Sequence, residues 1–234
     1  MFAIGLVPCL LSFFIRNSTE EPTLFVQSQA AEKGLSSIAM LVQDSKTIKI
    51  SIALLIMCSV QNFGYYGLMI WLPNHLSADL GFSLTKSANW TIVSIIGMCI
   101  GIFAFGQLAD RLGRRPAFCL FQMGAAIMVF VYSRLTSPNE LLIGGAVMGL
   151  FVNGMVGGYG ALMAELYPTK ARATAQNVLF NLGRGVGGFG PLVIGAVISQ
   201  YSFSVAMYLL TAIYVIDLIV TVAIIPETKG LAME

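Results

Sequence analysis

The sequence predicts an all-α membrane protein with about seven transmembrane helices, and three observations support this fold class. Hydrophobic residues make up 57% of the 234 residues and charged residues only 10%, whereas a soluble domain typically carries about 25% charged residues. Uncharged apolar runs long enough to cross a bilayer recur along the chain. The runs do not alternate polar and apolar residues, so they do not indicate the strands of a membrane β-barrel.

Charged residues divide the chain into the predicted helices. The first run, residues 1–16, is short for a span of about 20 residues. It also lacks the leading basic residues of a signal peptide, so we expect a transmembrane helix whose beginning is missing. A long uncharged run starting at Ala173 is divided in two at the polar break 199–202. The other predicted helices are 50–78, 87–109, 116–133 and 141–164, and the last helix ends near Ile225.

Residues 17–47 form the long polar segment of the chain. Leu35, Ile38 and Val42 occur there at helical spacing, so the segment is either a short helix on the membrane surface or a linker. The rest of the chain divides into a six-helix bundle, 48–226, and a tail, 227–234.

Basic residues predict how the helices are oriented in the membrane. If residues 1–16 end in the cytoplasm, two of the 13 lysines and arginines, Lys86 and Arg134, lie outside. Arg184 falls within a helix, and the other ten are cytoplasmic. This asymmetry follows the positive-inside rule. We therefore expect a multi-pass protein of the plasma or inner membrane with a cytoplasmic C-terminus and the lipid bilayer as a partner.

Glycine is frequent in the predicted helices. Small residues at GxxxG spacing allow two helix backbones to approach closely, so these pairs predict a packed bundle rather than separate anchors. The pairs are Gly97/Gly101, Gly145/Gly149, Gly154/Gly158 and Gly183/Gly187.

The loop between the third and fourth predicted helices carries a charged motif, GQLADRLGRR, at residues 106–115. It resembles the GxLaDrxGRR loop signature of the major facilitator superfamily of secondary transporters. Glycine permits a tight turn and close helix contact, and an aspartate at a helix end can pair with arginines or with a helix N-terminus. We expect these residues to hold helix bundles together on the cytoplasmic side and to control conformational change. They are Gly106, Asp110, Arg111, Gly113, Arg114 and Arg115.

Two further segments resemble the same superfamily. The run from Glu165 to Arg172, ELYPTKAR, is similar to the E-x-[FY]-P-x-x-x-R segment of its sugar-porter and metabolite:proton symporter branches. Pro168 ends a helix there, and Glu165 and Arg172 are expected to join the charges of the first motif. Residues 226–230, PETKG, resemble the tail of many sugar porters.

The resemblance covers nearly the whole chain and implies both fold and activity. Residues 1–16 correspond to helix six, 17–47 to the central cytoplasmic loop, and the bundle to helices seven to twelve of the superfamily fold. In that fold the last six helices form two inverted three-helix repeats. Helices one to five have no counterpart, so the missing N-terminal half is an expected partner, and substrate sites in the family lie between the two halves.

Arg184 is the main candidate for substrate binding. It lies about 15–20 Å into its helix at 1.5 Å per residue, near the bilayer midplane, where a charge is costly and indicates a function. Asn177 and Asn181 share its helix face. An arginine beside two amides suits a carboxylate. The alternative is an internal ion pair, for example with Glu165 or with a residue of the missing part of the transporter.

Helices seven and ten usually line the cavity in this family, and both carry polar residues here. Gln61 and Tyr65 are spaced i, i+4, as are Asn62 and Tyr66, and Asn153 lies in the helix that corresponds to helix ten. These residues are candidates either for substrate contact or for polar contact between helices.

Asp217 lies in the middle of the last predicted helix, with Tyr214 and Thr221 on the same face. A carboxylate within a membrane can carry a proton. Because helix twelve is usually peripheral in this family, a structural role is the alternative.

The sequence therefore predicts proton-coupled symport of a small, anionic organic solute. A sugar or polyol porter is an alternative that the tail favours, and a non-transporting sensor or an inactive half-transporter is another. We find no nucleophile–base pair, metal cluster or phosphate loop, so no enzyme activity, metal or cofactor is expected. The net charge of +2 gives no reason to expect nucleic acid, and the four cysteines show no CxxC spacing.

Overall fold

The computed structural model describes Ser12, Phe14 and residues 36–78 and 84–230. The predicted helix over residues 1–16 and most of the segment 17–47 lie outside this part of the chain. Within the described residues, six helices are long and apolar enough to span a membrane, in agreement with the predicted bundle. We number these spans in chain order. They are span 1 (Ser45–Pro73), span 2 (Ser87–Leu112), span 3 (Arg114–Tyr132), span 4 (Pro138–Leu166), span 5 (Thr169–Gln200) and span 6 (Phe203–Ile224).

Three of the spans are not continuous α-helices. Span 4 contains a π-helical turn and a 3-10 turn at its centre, and span 5 is interrupted shortly before Pro191, where a kink is expected. Span 1 has a break at Ile70. The helices are Ser45–Met69 and Trp71–Ala78, Leu84–Leu112, Arg114–Tyr132, Pro138–Met148, the π turn Gly149–Asn153, the 3-10 turn Met155–Gly157, Gly158–Leu166, Thr169–Gly187, Gly190–Gln200 and Phe203–Ile224.

Asp44 determines where span 1 begins. Its Oδ1 accepts hydrogen bonds from the backbone N–H groups of Lys46 at 2.8 Å and Thr47 at 3.0 Å, which satisfies two free donors of the first turn. These bonds, chiefly the one from Thr47, lower the pKa of Asp44. The helix therefore starts at Ser45, slightly earlier than predicted. In the described part of the segment 17–47, the helical structure before Asp44 is a four-residue 3-10 turn, Ala39–Val42.

The six spans pack in three main pairs: span 1 with span 5, span 2 with span 4, and span 3 with span 6. Exchange span 1 with span 4, span 2 with span 5 and span 3 with span 6. The pair of spans 1 and 5 then becomes the pair of spans 4 and 2, and the pair of spans 3 and 6 is unchanged. This is the pairing expected of two inverted three-helix repeats. Span 1 also contacts span 6 and the π turn of span 4.

The GxxxG pairs lie at two of these helix contacts, as the sequence predicts. A side chain on Gly97 or Gly101 of span 2 would collide with backbone carbonyls of span 4. In the same way, a side chain on Gly183 or Gly187 of span 5 would collide with the backbone of span 1. Since both contacts depend on missing Cβ atoms, glycine sets the distance between the paired helices.

Aromatic residues fill the core between spans 2, 3 and 4. The Phe105 ring lies edge-to-face with the rings of Phe118 at 4.8 Å and Phe121 at 5.1 Å between centroids. Phe118 in turn contacts Tyr159 of span 4 at 5.0 Å. Each such pair contributes about 0.5–1.5 kcal/mol beyond the area that it buries. The Tyr159 hydroxyl donates to the carbonyl of Met57 at 3.0 Å, which connects this core to span 1.

Candidate functional site

A cavity of about 210 Å³ opens between spans 1, 2, 4 and 5. It contains six of the eight side chains that the sequence predicts for substrate binding, brought together from three different spans. Its lining residues are Gln61, Asn62, Tyr65, Tyr66, Met98, Asn153, Val156, Phe180 and Arg184.

Asn177 and Asn181, the other two predicted residues, do not line this cavity. They line a neighbouring cavity of about 320 Å³, and Arg184 lies on the boundary of both. The predicted shared face of these three residues is therefore confirmed, although the two amides lie beyond Arg184. Each asparagine Nδ2 donates to the carbonyl one helical turn earlier, at 2.8 Å.

Arg184 lies midway along span 5, and its side chain is exposed to the cavity. Its Nε donates to the hydroxyl of Tyr66 in span 1 at 2.8 Å. The predicted alternative, an ion pair with Glu165, is wrong, because Glu165 binds Arg114 instead. No carboxylate among the described residues pairs with Arg184, so no described residue compensates the charge of the guanidinium that lines the cavity.

Asn153 is the last residue of the π-helical turn in span 4. Such turns widen the helix locally and occur frequently at functional sites. The side chain is only 1% exposed, yet neither its Oδ1 nor its Nδ2 has a hydrogen-bond partner among the described residues. Gln61 of span 1 is 2% exposed, and its Oε1 is likewise without a partner. Both side chains line the cavity.

The other predicted residues of span 1 form contacts with neighbouring protein groups. Asn62 Nδ2 donates to the carbonyl of Cys58 at 2.8 Å. The rings of Tyr65 and Tyr66 contact each other edge-to-face, with centroids 5.3 Å apart. These contacts hold the two tyrosines in place beside Arg184.

Sequence reasoning missed the apolar walls of the cavity. Met98, Val156 and Phe180 line it, but in the sequence they are indistinguishable from the other apolar residues that face lipid or core. It also missed Gln176, whose Nε2 donates to the carbonyl of Gly160 at 2.9 Å beside the second cavity. The sequence offered one signal for Gln176: it is a polar residue directly before Asn177, which was a predicted site residue.

Asp217 lies away from both cavities and is completely buried between spans 3 and 6. Gln122 of span 3, which the sequence did not single out, donates its Nε2 to Asp217 Oδ2 at 2.8 Å and to Thr221 Oγ1 at 2.8 Å. Asp217 Oδ1 and the Tyr214 hydroxyl have no hydrogen-bond partner among the described residues. No described basic side chain forms an ion pair with this carboxyl group.

At one end of the bundle, Arg114 binds two carboxylates. Its Nη1 lies 2.6 Å from Asp110 Oδ1, and its Nη2 lies 2.9 Å from Glu165 Oε1, with Nε bonded to the same oxygen at 3.0 Å. The predicted association of the two charged motifs is thus observed in this structure. The ion pair between Arg114 and Glu165 joins span 3 to span 4.

The tail adds a third carboxylate that was not predicted to participate. Glu227 accepts hydrogen bonds from the backbone N–H groups of Arg114 at 2.9 Å and Arg115 at 3.2 Å. These are free donors at the N-terminus of span 3, where negative charge is favourable. Thr228 donates to Glu165 at 2.5 Å. We call Asp110, Arg114, Glu165 and Glu227 the charged cluster.

The remaining residues of the two motifs have different environments. The Arg111 carbonyl accepts a hydrogen bond from Lys229 Nζ at 2.5 Å, and Arg172 Nε donates to the carbonyl of Tyr167 at 3.1 Å. Gly113 adopts φ of 109°, so it makes the predicted tight turn. Gly106, by contrast, makes no close helix contact with the described residues, because a Cβ there would meet no atom within 4 Å.

Comparison with known proteins gives consistent matches. Residues 52–232 match the family model described as Major Facilitator Superfamily. A protein of Haemophilus influenzae named for metabolite transport is 56% identical over all of this chain, which covers 59% of that protein. The cis,cis-muconate transport protein of Acinetobacter baylyi is 25% identical over 98% of this chain and is covered over 57% of its own length. The chain thus spans less than two thirds of these relatives.

Among solved structures, the peptide transporter POT, crystallised as its E310Q mutant with sulfate, superposes with a TM-score of 0.64. The match covers 79% of this chain and 39% of the transporter, at 20% sequence identity. At this identity the similarity establishes the fold, and it agrees with the six-span arrangement described above.

Proposed function

The chain belongs to the Major Facilitator Superfamily, and on this premise we propose that it forms the carboxylate-binding part of a proton-coupled transporter for a small organic acid. The observation that supports the proposal most directly is the environment of Arg184. It is the one charged residue among the nine that line the cavity, and no described carboxylate neutralises it. A charge at this depth in a membrane is costly unless it acts on a ligand.

The chemistry of Arg184 favours an acid over a neutral solute. A guanidinium can donate two parallel hydrogen bonds to one carboxylate. The bond from Nε to Tyr66 holds the side chain in place, which reduces the conformational entropy that binding must remove. The muconate transport protein among the relatives is named for a dicarboxylate, which supports an acid over a neutral solute but not the number of carboxylates.

The test is acid binding by purified protein in lipid nanodiscs, with a panel of aromatic and aliphatic monocarboxylates. We expect Arg184→Gln to lose binding, and Arg184→Lys to weaken it by about 1–3 kcal/mol, because a lysine keeps the charge without the planar pair of donors. Arg134→Gln is the matched control. Arg134 lies in the turn between spans 3 and 4, against Phe130 and Tyr208, and does not line the cavity. Normal acid binding by the Arg184→Gln protein would refute the proposal.

A neutral sugar or polyol is the second candidate. The uncharged amides of Gln61 and Asn153 in the cavity favour it, and so does the tail over residues 226–230. The same variants decide between the two, because a sugar porter should retain sugar binding in the Arg184→Gln protein. Glucose and mannitol are therefore included in the panel.

We assign proton coupling to Asp217. An isolated buried carboxylate is too costly to remain charged without a cation or several hydrogen bonds. Asp217 accepts one hydrogen bond from Gln122, and its Oδ1 has no partner among the described residues. These surroundings suit the neutral acid, and coupling would require the acid to release its proton in another conformation of the transporter. Gln122 of span 3 contacts the carboxyl group, and the same amide also donates to Thr221 of the helix that carries Asp217. Four further groups lie near enough to interact with the carboxyl group electrostatically: Cys58, Cys119, Tyr159 and Tyr214.

Asp217→Asn tests this assignment because it keeps the shape and removes the proton. We expect proteoliposomes carrying this variant to exchange substrate across the membrane but to lose accumulation driven by a pH gradient. Accumulation at the unaltered level would show that Asp217 is structural. Gln122→Leu is a second variant, which removes the amide that contacts Asp217 and leaves the carboxyl group.

We also propose that the charged cluster lies on the cytoplasmic side and restrains conformational change. It joins the start of span 3, the end of span 4 and the tail after span 6. Because these segments belong to both three-helix repeats, their relative movement would break the cluster.

A further inference from the structure

Two buried amides in the cavity lack the partners that buried polar groups normally have. More than about 90% of buried polar groups in proteins form a hydrogen bond, and leaving one unpaired costs about 1–3 kcal/mol. Among the described residues, neither side-chain polar atom of Asn153 has a hydrogen-bond partner, and Gln61 Oε1 has none either. The π turn that carries Asn153 packs against span 1, which carries Gln61.

Together, these side chains provide an uncharged polar surface with both hydrogen-bond donors and acceptors. Asn153 supplies a donor at Nδ2 and an acceptor at Oδ1, and Gln61 supplies a second acceptor at Oε1. Neither group is charged, and the side chains lining the cavity nearby are the apolar Met98, Val156 and Phe180. A ligand group that both donates and accepts, such as a hydroxyl or a carboxamide, would satisfy these atoms.

A second carboxylate would not satisfy them. It would be removed from water without a cation, since Arg184 alone is charged among the lining residues. It would accept a hydrogen bond from Asn153 Nδ2, but it could donate to neither Asn153 Oδ1 nor Gln61 Oε1, and these two acceptor oxygens would repel it. The surface therefore discriminates by charge as well as by hydrogen bonding.

We propose that Asn153 and Gln61 form a neutral polar subsite that selects monocarboxylates bearing a hydroxyl or carboxamide group over dicarboxylates and over unsubstituted acids. The subsite rests on the proposed function, in which Arg184 binds the carboxylate. The apolar walls accommodate the carbon skeleton that connects the two polar groups.

The experiment measures binding to the protein in nanodiscs with ligands that differ in one group. The aromatic series is benzoate, meta-hydroxybenzoate, meta-carbamoylbenzoate and isophthalate. The aliphatic series is hexanoate, its terminal hydroxy acid, the monoamide of adipic acid, and adipate. In at least one series we expect the hydroxyl and carboxamide acids to bind about tenfold more tightly than the unsubstituted acid, and the diacid to bind most weakly.

Asn153→Leu should reduce the ratio of affinities between the hydroxyl or carboxamide acids and the unsubstituted acid from about tenfold to near one. Because Asn153 has no side-chain hydrogen-bond partner among the described residues, the ligand-free protein should remain as stable as the parent. Gln61→Met, of similar shape, is the second variant and should reduce the preference in the same direction. Met98→Leu is the control, and it should change all ligands of a series equally.

The outcomes separate the subsite from the proposed function. If acids bind through Arg184 but the diacid binds best, or if Asn153→Leu and Gln61→Met both leave the preference unaltered, the subsite is refuted and the acid site remains. If no acid of either series binds, both proposals are overturned.

Discussion

The guanidinium of Arg114 in span 3 binds the carboxylate of Glu165 at the end of span 4, with Nη2 2.9 Å from Oε1. The two residues are 51 positions apart in the sequence and belong to different three-helix repeats. Asp110 binds the same guanidinium from four residues earlier, near the end of span 2. Arg114 therefore has one carboxylate partner that connects the repeats and one that does not.

Glu165→Gln should destabilise the protein more than Asp110→Asn. Glu165 is 13% exposed and Asp110 73%, so solvent screens the Asp110 pair far more strongly. We expect a loss of about 1–3 kcal/mol for Glu165→Gln and less than about 1 kcal/mol for Asp110→Asn, measured as the free energy of unfolding in mixed micelles. An equal or larger loss for Asp110→Asn would contradict the assignment of the connecting role to Glu165.

Gly113→Ala and Gly106→Ala are a matched pair within one motif. Gly113 has φ of 109°, and a Cβ there would lie 2.5 Å from a Glu227 carboxylate oxygen. We expect Gly113→Ala to lower the unfolding free energy by about 1–3 kcal/mol. Gly106 is helical and its surroundings are open, so alanine there should be neutral or stabilising by up to about 1 kcal/mol. The melting temperatures of the two purified variants test these predictions. Equal changes in melting temperature for both variants would contradict the difference expected between Gly113 and Gly106.

Gly183→Ala and Gly185→Ala test the contact between spans 1 and 5. A Cβ on Gly183 would meet the Cys58 Cβ at 2.5 Å and backbone atoms of span 1 at 2.8–2.9 Å, so the helices must separate. Gly185 has no atom within 4 Å of such a Cβ. We expect Gly183→Ala to lower thermal stability and to disturb binding at the adjacent cavity, whereas Gly185→Ala should behave as the parent. Tolerance of Gly183→Ala would argue against close packing here.

Cysteine labelling tests the proposed orientation. Single cysteines at Lys170, at the start of span 5, and at Arg134, between spans 3 and 4, lie near opposite ends of span 4. In a background without native cysteines, which is needed because Cys99 is exposed, a membrane-impermeant maleimide should reach Lys170→Cys only from the cytoplasm. It should reach Arg134→Cys only from outside. Labelling of both from one side would exclude the six-span topology.

The sequence alone was sufficient for the position of the spans and for the helix contacts made by glycine. Apolar runs of bilayer length must lie in lipid or in a bundle, whatever their neighbours are, so the six described spans follow from local composition. GxxxG spacing likewise indicates close approach without identifying the partner. The resemblance in the loop motif also predicted that Asp110, Arg114 and Glu165 come together.

The tertiary structure decided which groups are partners. The sequence allows an ion pair between Arg184 and Glu165. In the folded protein Arg184 instead donates a hydrogen bond to Tyr66, and Glu165 forms its ion pair with Arg114. Two further features have no local signal: the π turn that places Asn153 in the cavity wall, and the return of Glu227 to the start of span 3. Each of these depends on distances between residues that are far apart in the chain, and such distances are set only when the helices have packed.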